Sequence, residues 1–153
     1  MVTRIISPKF ILLHTLAHLI IRELSFECGY ATSSIKERIY CNQPSSEKIM
    51  SGILLYTADS DAEGSLGGLV QQGKADFLPN IIKRAVSRAK WCSADPVCIM
   101  SEGQGRDSLN LAACHSCVLL PETSCEEFNV LLDRAMIVGD LDNGDLGFLS
   151  RYV

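Results

Sequence analysis

The stretch "ACHSC", residues 113–117, sets Cys114 and Cys117 three positions apart with His115 between them. Five of the seven cysteines crowd into "WCSADPVC" (91–98), "ACHSC" and "PETSCEEF" (121–128), whereas Cys28 and Cys41 stand apart. A C-x2-C pair puts two sulfurs on one tight turn, able to grip an ion from one side. Zinc then needs two further soft ligands at the other tetrahedral corners. Cys98 and Cys125 are the candidates, with Cys92 as a fifth. The cysteines cluster among turn residues rather than at the period of a buried element, which argues against five merely apolar side chains.

Two other chemistries fit the motif less well. A thioredoxin-like dithiol belongs at the start of a helix that follows a strand, and "DSLNLAA" (107–113) does not read as a strand. A thiol nucleophile activated by His115 would need proton transfer between sequence neighbours, and no third residue stands out to orient them. His115 reads instead as a turn residue that supports a ligand through a hydrogen bond.

Around this cluster the 153 residues suit one domain, and a 47% hydrophobic share supports a real core. A net charge of −4 gives no support for a surface that grips nucleic acid throughout. Lys83, Arg84, Arg88 and Lys90 form one short basic segment, read as a solvated helix face. Near the N-terminus, "FILLHTLAHLII" (10–21) follows two basic residues as a signal peptide would. Its two histidines, the lack of a small-x-small site and its short length point to a buried helix in a cytoplasmic protein, with no membrane contact. Thiols stay reduced in that compartment, which favours metal binding over disulfides.

The apolar residues of 10–24 lie on most faces, as in a helix surrounded by protein. "SIKERIYC" (34–41) alternates as a partly exposed strand, and "GILLYTA" (52–58) reads as a buried one. "DSDAEGSLGG" (59–68) is a turn into a short helix near Leu66 to Gln72, with Gly67 and Gly68 where helix and sheet pack closely. "EGSLGGL" (63–69) lacks the lysine of a P-loop. A helix is predicted through Ile81, Ile82, Ala85, Val86 and Ala89, with Pro79 in its first turn. Ser124 and Glu127 form a capping-box pattern, so "EEFNVLLDRAMIV" (126–138) is predicted as an amphipathic helix that carries Cys125 at its start and stops at Gly139. His14 and His18 are four apart on one helix face, but Thr15 stands where a zinc protease has its glutamate. They read as satisfied core or interface histidines, on a helix suited to docking a partner. The expectation is one α+β unit, a small mixed helix/strand domain with a C-terminal four-cysteine zinc site. It divides into an extension at 1–9, the domain at 10–139 and a tail at 140–153.

The segments "LLHTLAHLIIREL", "ECGYATSSIKERIY", "GILLYTADSDAEGSLGGLV", "WCSADPVCIMSEGQG" and "NLAACHSCVLLPETSCEEFNVLLDRAMIVG" resemble, in the same order, the MrfA-like zinc-binding domain family. Within it they are most similar to the DrmB-type proteins of the bacterial DISARM anti-phage system. The resemblance implies Zn2+ held by Cys114, Cys117 and Cys125, with Cys98 as the remaining ligand and Cys92 as its alternative. It also implies a non-catalytic accessory module, with a helicase-type protein partner and DNA reached through the complex. The chain carries no Walker lysine and no DEAD-type box of its own.

Overall fold

Pro8–Cys28 forms one long helix, α1, against which the remainder of the domain packs. The Ser7 hydroxyl accepts the Phe10 amide at its start, and Pro8 occupies the first turn, where a missing amide does no harm. Gly29 ends the helix at φ 71°, returning its amide to the Ser25 carbonyl at 3.1 Å. The helix extends beyond the predicted 10–24 at both ends and is buried on most sides, from Phe10 through Ala17 and Ile21 to Leu24. The computed structural model describes residues 6–42, 48–57 and 67–153.

Two antiparallel strands, β1 (Ile35–Cys41) and β2 (Ser51–Thr57), pair with Ile35 opposite Thr57 and Ile39 opposite Ile53. Strand alternation sends Ile35, Glu37 and Ile39 inward. The second strand is half exposed rather than buried, with Leu54 and Tyr56 open to solvent. A two-stranded ribbon has only one face to lay on α1, so the alternate residues of β2 stay outside.

The helices α2 (Gly67–Gln72) and α3 (Leu78–Ala89) follow. Pro79 lies in the first turn of α3, and Ile81, Ala85, Val86 and Ala89 form its buried stripe. The turn expected at 59–66, and with it most of the glycine-rich loop, lies outside the described residues. Gly68 does make a close approach, but to Tyr30 in the segment after α1 rather than to the sheet. A Cβ there would meet the hydroxyl of buried Tyr30 at 2.5 Å.

The predicted final helix does not form. Only Ala135–Val138, α4, is α-helical, and Phe128, Asn129 and Leu131 take left-handed φ values of 52°, 59° and 65°. The amides a helix would have used internally go elsewhere. Leu131 donates to the Leu109 carbonyl, Leu132 to Asn110 Oδ1, Asp133 to Thr15 Oγ1 and Arg134 to the Ala112 carbonyl. Ser124, expected as a helix cap, donates its hydroxyl to the Thr32 carbonyl instead. Beyond α4, the Phe148 and Leu149 amides bond back to Met136 and Ile137. No helix among the described residues is long and apolar enough to cross a membrane.

Gly68→Val forces Tyr30 from its buried position and lowers stability by about 1–3 kcal/mol, as overpacking does. Adding Tyr30→Phe removes the clashing hydroxyl and recovers part of the loss. Denaturant midpoints of the single and double variants check this.

Candidate metal centre

After α3 the chain enters consecutive turns that place Cys92 and Cys98 on one side. Asp95 fixes this loop, because its carboxylate accepts the Cys92 amide at 2.9 Å and the Ile99 amide at 3.1 Å. The Cys98 amide returns to the Ala94 carbonyl at 2.9 Å, a single helical turn that brings its sulfur round. A second tight turn carries Cys114 and Cys117, with the Cys117 and Val118 amides both donating to the Cys114 carbonyl. Arg22 of α1 holds this turn from outside. Its guanidinium donates to the Ser116 carbonyl at 3.0 Å and the Leu119 carbonyl at 3.1 Å.

The two turns face each other, and the sulfurs of Cys92, Cys98, Cys114 and Cys117 all lie within 4.8 Å of one another. Sγ–Sγ separations are 3.5 Å for Cys92–Cys114, 3.7 Å for Cys98–Cys117 and 3.7 Å for Cys114–Cys117. All four are free cysteines, and these gaps are far wider than the roughly 2.05 Å of a disulfide. They match the edge of a tetrahedron with zinc–sulfur bonds of about 2.3 Å, which is roughly 3.8 Å. The donor set is soft, largely buried and four-fold, and therefore fits Zn2+.

Donors aimed at the sulfurs favour their charged form, while burial opposes it. The Ala94 amide points at Cys92 Sγ at 3.4 Å, the Cys114 amide at Cys117 Sγ at 3.3 Å, and the Gln104 side-chain amide at Cys98 Sγ at 3.7 Å. Burial opposes ionisation of Cys114. Hydrogen bonds from Cys92, the Ser116 amide and the other sulfurs outweigh that and bring its thiol down to about 7. Burial pushes the thiols of Cys92 and Cys117 up. Four thiolates around a divalent ion leave about two excess negative charges. Arg134 stands beside them, fully buried, donating to the Ala89 carbonyl at 2.8 Å and to Asp95 Oδ1. Although burial works against it, the Asp95 bond and the neighbouring Cys117 keep its guanidinium charged.

Of the cysteines singled out in the sequence, the structure brings Cys98, Cys114 and Cys117 together. Cys92 lies in the same cluster beside Cys98. Cys125 is not among the four, since its sulfur lies 3.2 Å from His14 Nε2 in a separate buried group. The route that would have carried it to the cluster, a helix starting at Cys125, is absent. His115 is exposed and stands off the cluster. His14 and His18 are completely buried, so the α1 face they share is no docking surface. Asp95 and Arg134 were missed. Asp95 could have been found as an acidic turn residue three positions after a cysteine, but Arg134 was hidden inside the predicted helix.

A family model, the MrfA Zn-binding domain, matches residues 16–118, a span that includes all four clustered cysteines and excludes Cys125. The chain is also similar to "DISARM protein DrmB" of Bacillus paralicheniformis (strain ATCC 9945a / NCIMB 11709 / CD-2), at 47% identity over 134 residues. That alignment covers 88% of this chain and 23% of the relative, so the chain spans about a quarter of that protein's length. The soft four-sulfur cluster and the family match agree on Zn2+ as the metal. With two facing cysteine turns and a match over most of its length, the chain belongs to the MrfA Zn-binding domain family.

Proposed function

We propose that the chain is a zinc-binding accessory module of a helicase-associated DNA-processing or anti-phage defence complex, non-catalytic by itself. Cys92, Cys98, Cys114 and Cys117 are its zinc ligands, and Cys125 is not one of them. The observation that carries this reading is the closed set of four mutually facing sulfurs. A catalytic zinc keeps one corner for water or substrate, whereas a four-thiolate set fills every corner with protein. Similarity to a DISARM protein supports the defence setting, and the partner is a helicase-type protein in the cytoplasm, where cysteines remain reduced.

Direct DNA binding through the basic segment of α3 is disfavoured by its pairing. Buried Glu23 accepts Arg84 Nε at 2.8 Å and is ion-paired with Arg88, whose Nε lies 2.7 Å from its other oxygen, and Glu27 lies 3.3 Å from Arg84. Arg88 also stacks over Phe26, 4.1 Å from the ring centroid. Arg84 and Arg88 are thus engaged inside the domain, and Lys90 Nζ donates to the Val153 carbonyl at 2.9 Å. DNA is reached through the complex.

Three outcomes test this reading. Serine at Cys92, Cys98, Cys114 or Cys117 abolishes the four-thiolate absorption of the cobalt-substituted protein and unfolds the C-terminal half. Structural zinc supplies on the order of 10 kcal/mol, comparable to a whole domain's stability. Cys28→Ser and Cys125→Ser keep that absorption, and its loss in Cys125→Ser would sink the ligand set. Arg134→Met strands the Asp95 carboxylate beside the thiolates and lowers stability by about 3–5 kcal/mol, measured by denaturant unfolding. Arg134→Lys restores little, because an ammonium cannot span Ala89 and Asp95 as the planar fork does. Affinity capture of the intact gene product from its host recovers a helicase-type partner, and recovery of no such partner counts against the accessory role.

A further inference from the structure

A second group of metal-binding side chains lies apart from the four-cysteine cluster. His14 and His18 sit one turn apart on the same face of α1, both 0% exposed. Glu37 is the central inward residue of β1, between Ile35 and Ile39, where strand alternation calls for an apolar side chain. Cys125 follows the 3-10 turn Glu122–Ser124 and is 5% exposed. One ligand atom from each lies within 4.8 Å of the other three. His14 Nε2 is 3.0 Å from Glu37 Oε1 and 3.2 Å from Cys125 Sγ, and His18 Nε2 is 3.4 Å from the same Glu37 oxygen.

Outside the group, His18 Nδ1 and Cys125 Sγ are hydrogen-bonded, while buried His14 Nδ1 is not; on its inside, apart from the His14–Cys125 contact, partners are missing among the described residues. His18 Nδ1 faces the Val118 carbonyl at 3.0 Å, so that nitrogen carries the proton and a neutral ring turns the Nε2 lone pair inward. A metal-bound histidine is oriented in the same way. Cys125 Sγ accepts the Glu127 amide at 3.4 Å and the Asn129 amide at 3.3 Å. Cys92 Sγ accepts the amide two residues on in the same manner. Among the described residues, neither oxygen of Glu37 nor His18 Nε2 has a hydrogen-bond partner. A buried carboxylate facing an imidazole lone pair is costly unless a cation stands between them.

We infer that His14, His18, Glu37 and Cys125 form a second metal site that takes a divalent transition ion of the zinc type. Two imidazole nitrogens, one carboxylate oxygen and one thiolate make a borderline four-ligand set suited to that ion. The carboxylate and thiolate balance its two charges, so the buried site is neutral overall. With every ligand almost fully enclosed, its role is to clip α1 to β1 and to the chain that wraps around Cys125. The inference does not depend on the defence role proposed above.

Metal stoichiometry of the full chain tests it. Protein loaded with excess Zn2+ and desalted should hold about two equivalents, whereas Glu37→Gln and Cys125→Ser hold about one and keep the four-thiolate cobalt absorption. A wild-type chain that saturates at one equivalent overturns the second site, as do two equivalents retained by both variants. Should the variants fail to fold, cobalt titration of the wild type decides. A second equivalent that adds a single-thiolate charge-transfer band supports the site, and no spectral change beyond the first overturns it. A single-thiolate band without a four-thiolate band would support this site and reject the four-cysteine ligand set instead.

Discussion

Mutual contact among four sulfurs in a largely buried space constrains everything that follows α3. Sulfurs this close repel as thiolates unless a cation neutralises them, and as neutral thiols they would give little reason for such precise backbone support. The chain from 92 to 134 accordingly holds few regular elements and is ordered by side chains that bond to backbone. Asn110 accepts the Leu132 amide and donates to the Asn129 carbonyl. Asn129 closes both the amide and the carbonyl of Leu120. Asp133 accepts the Ala112 and Ala135 amides. These bonds replace the ladders that a helix or sheet would supply, as buried backbone groups require.

Much of the N-terminal half was legible in the sequence. The apolar run of α1, the alternation of β1 and the stripe of α3 are strong periodic signals, and packing reinforced each of them. The C-terminal half misled because its local pattern was helical while its contacts are not. Ser124 and Glu127 have the spacing of a capping box, and the apolar residues after them have a helix-like period. Yet the Cys125 sulfur takes two of the first amides, and residues 109–112 and Thr15 engage all four amides from 131 to 134. Nearness in sequence likewise suggested that Cys125 belonged with the C-x2-C pair. Three-dimensional proximity gave that place to Cys92. His14 and His18 were visible as a pair, but their meeting with Glu37 depends on how β1 lies against α1, which no local pattern records.

Several charged side chains among the described residues are engaged across the fold. Glu23 on α1 engages two arginines of α3. Asp95 and Arg134 join the first cysteine loop to the last short helix. Arg22 ties α1 to the carbonyls of the second cysteine turn. Each pairing spans elements far apart in sequence, so the long helix acts as the common support of both halves.

The reach of residues 125–134 has a consequence for where such a domain can be cut. A chain ending at residue 118, the limit of the family match, would retain all four clustered cysteines. It would lose the guanidinium that joins Ala89 to Asp95, the amides that meet Asn110 and Thr15, and the sulfur that faces His14. The sequence-defined unit is therefore shorter than the folding unit, whose C-terminal limit lies no earlier than α4.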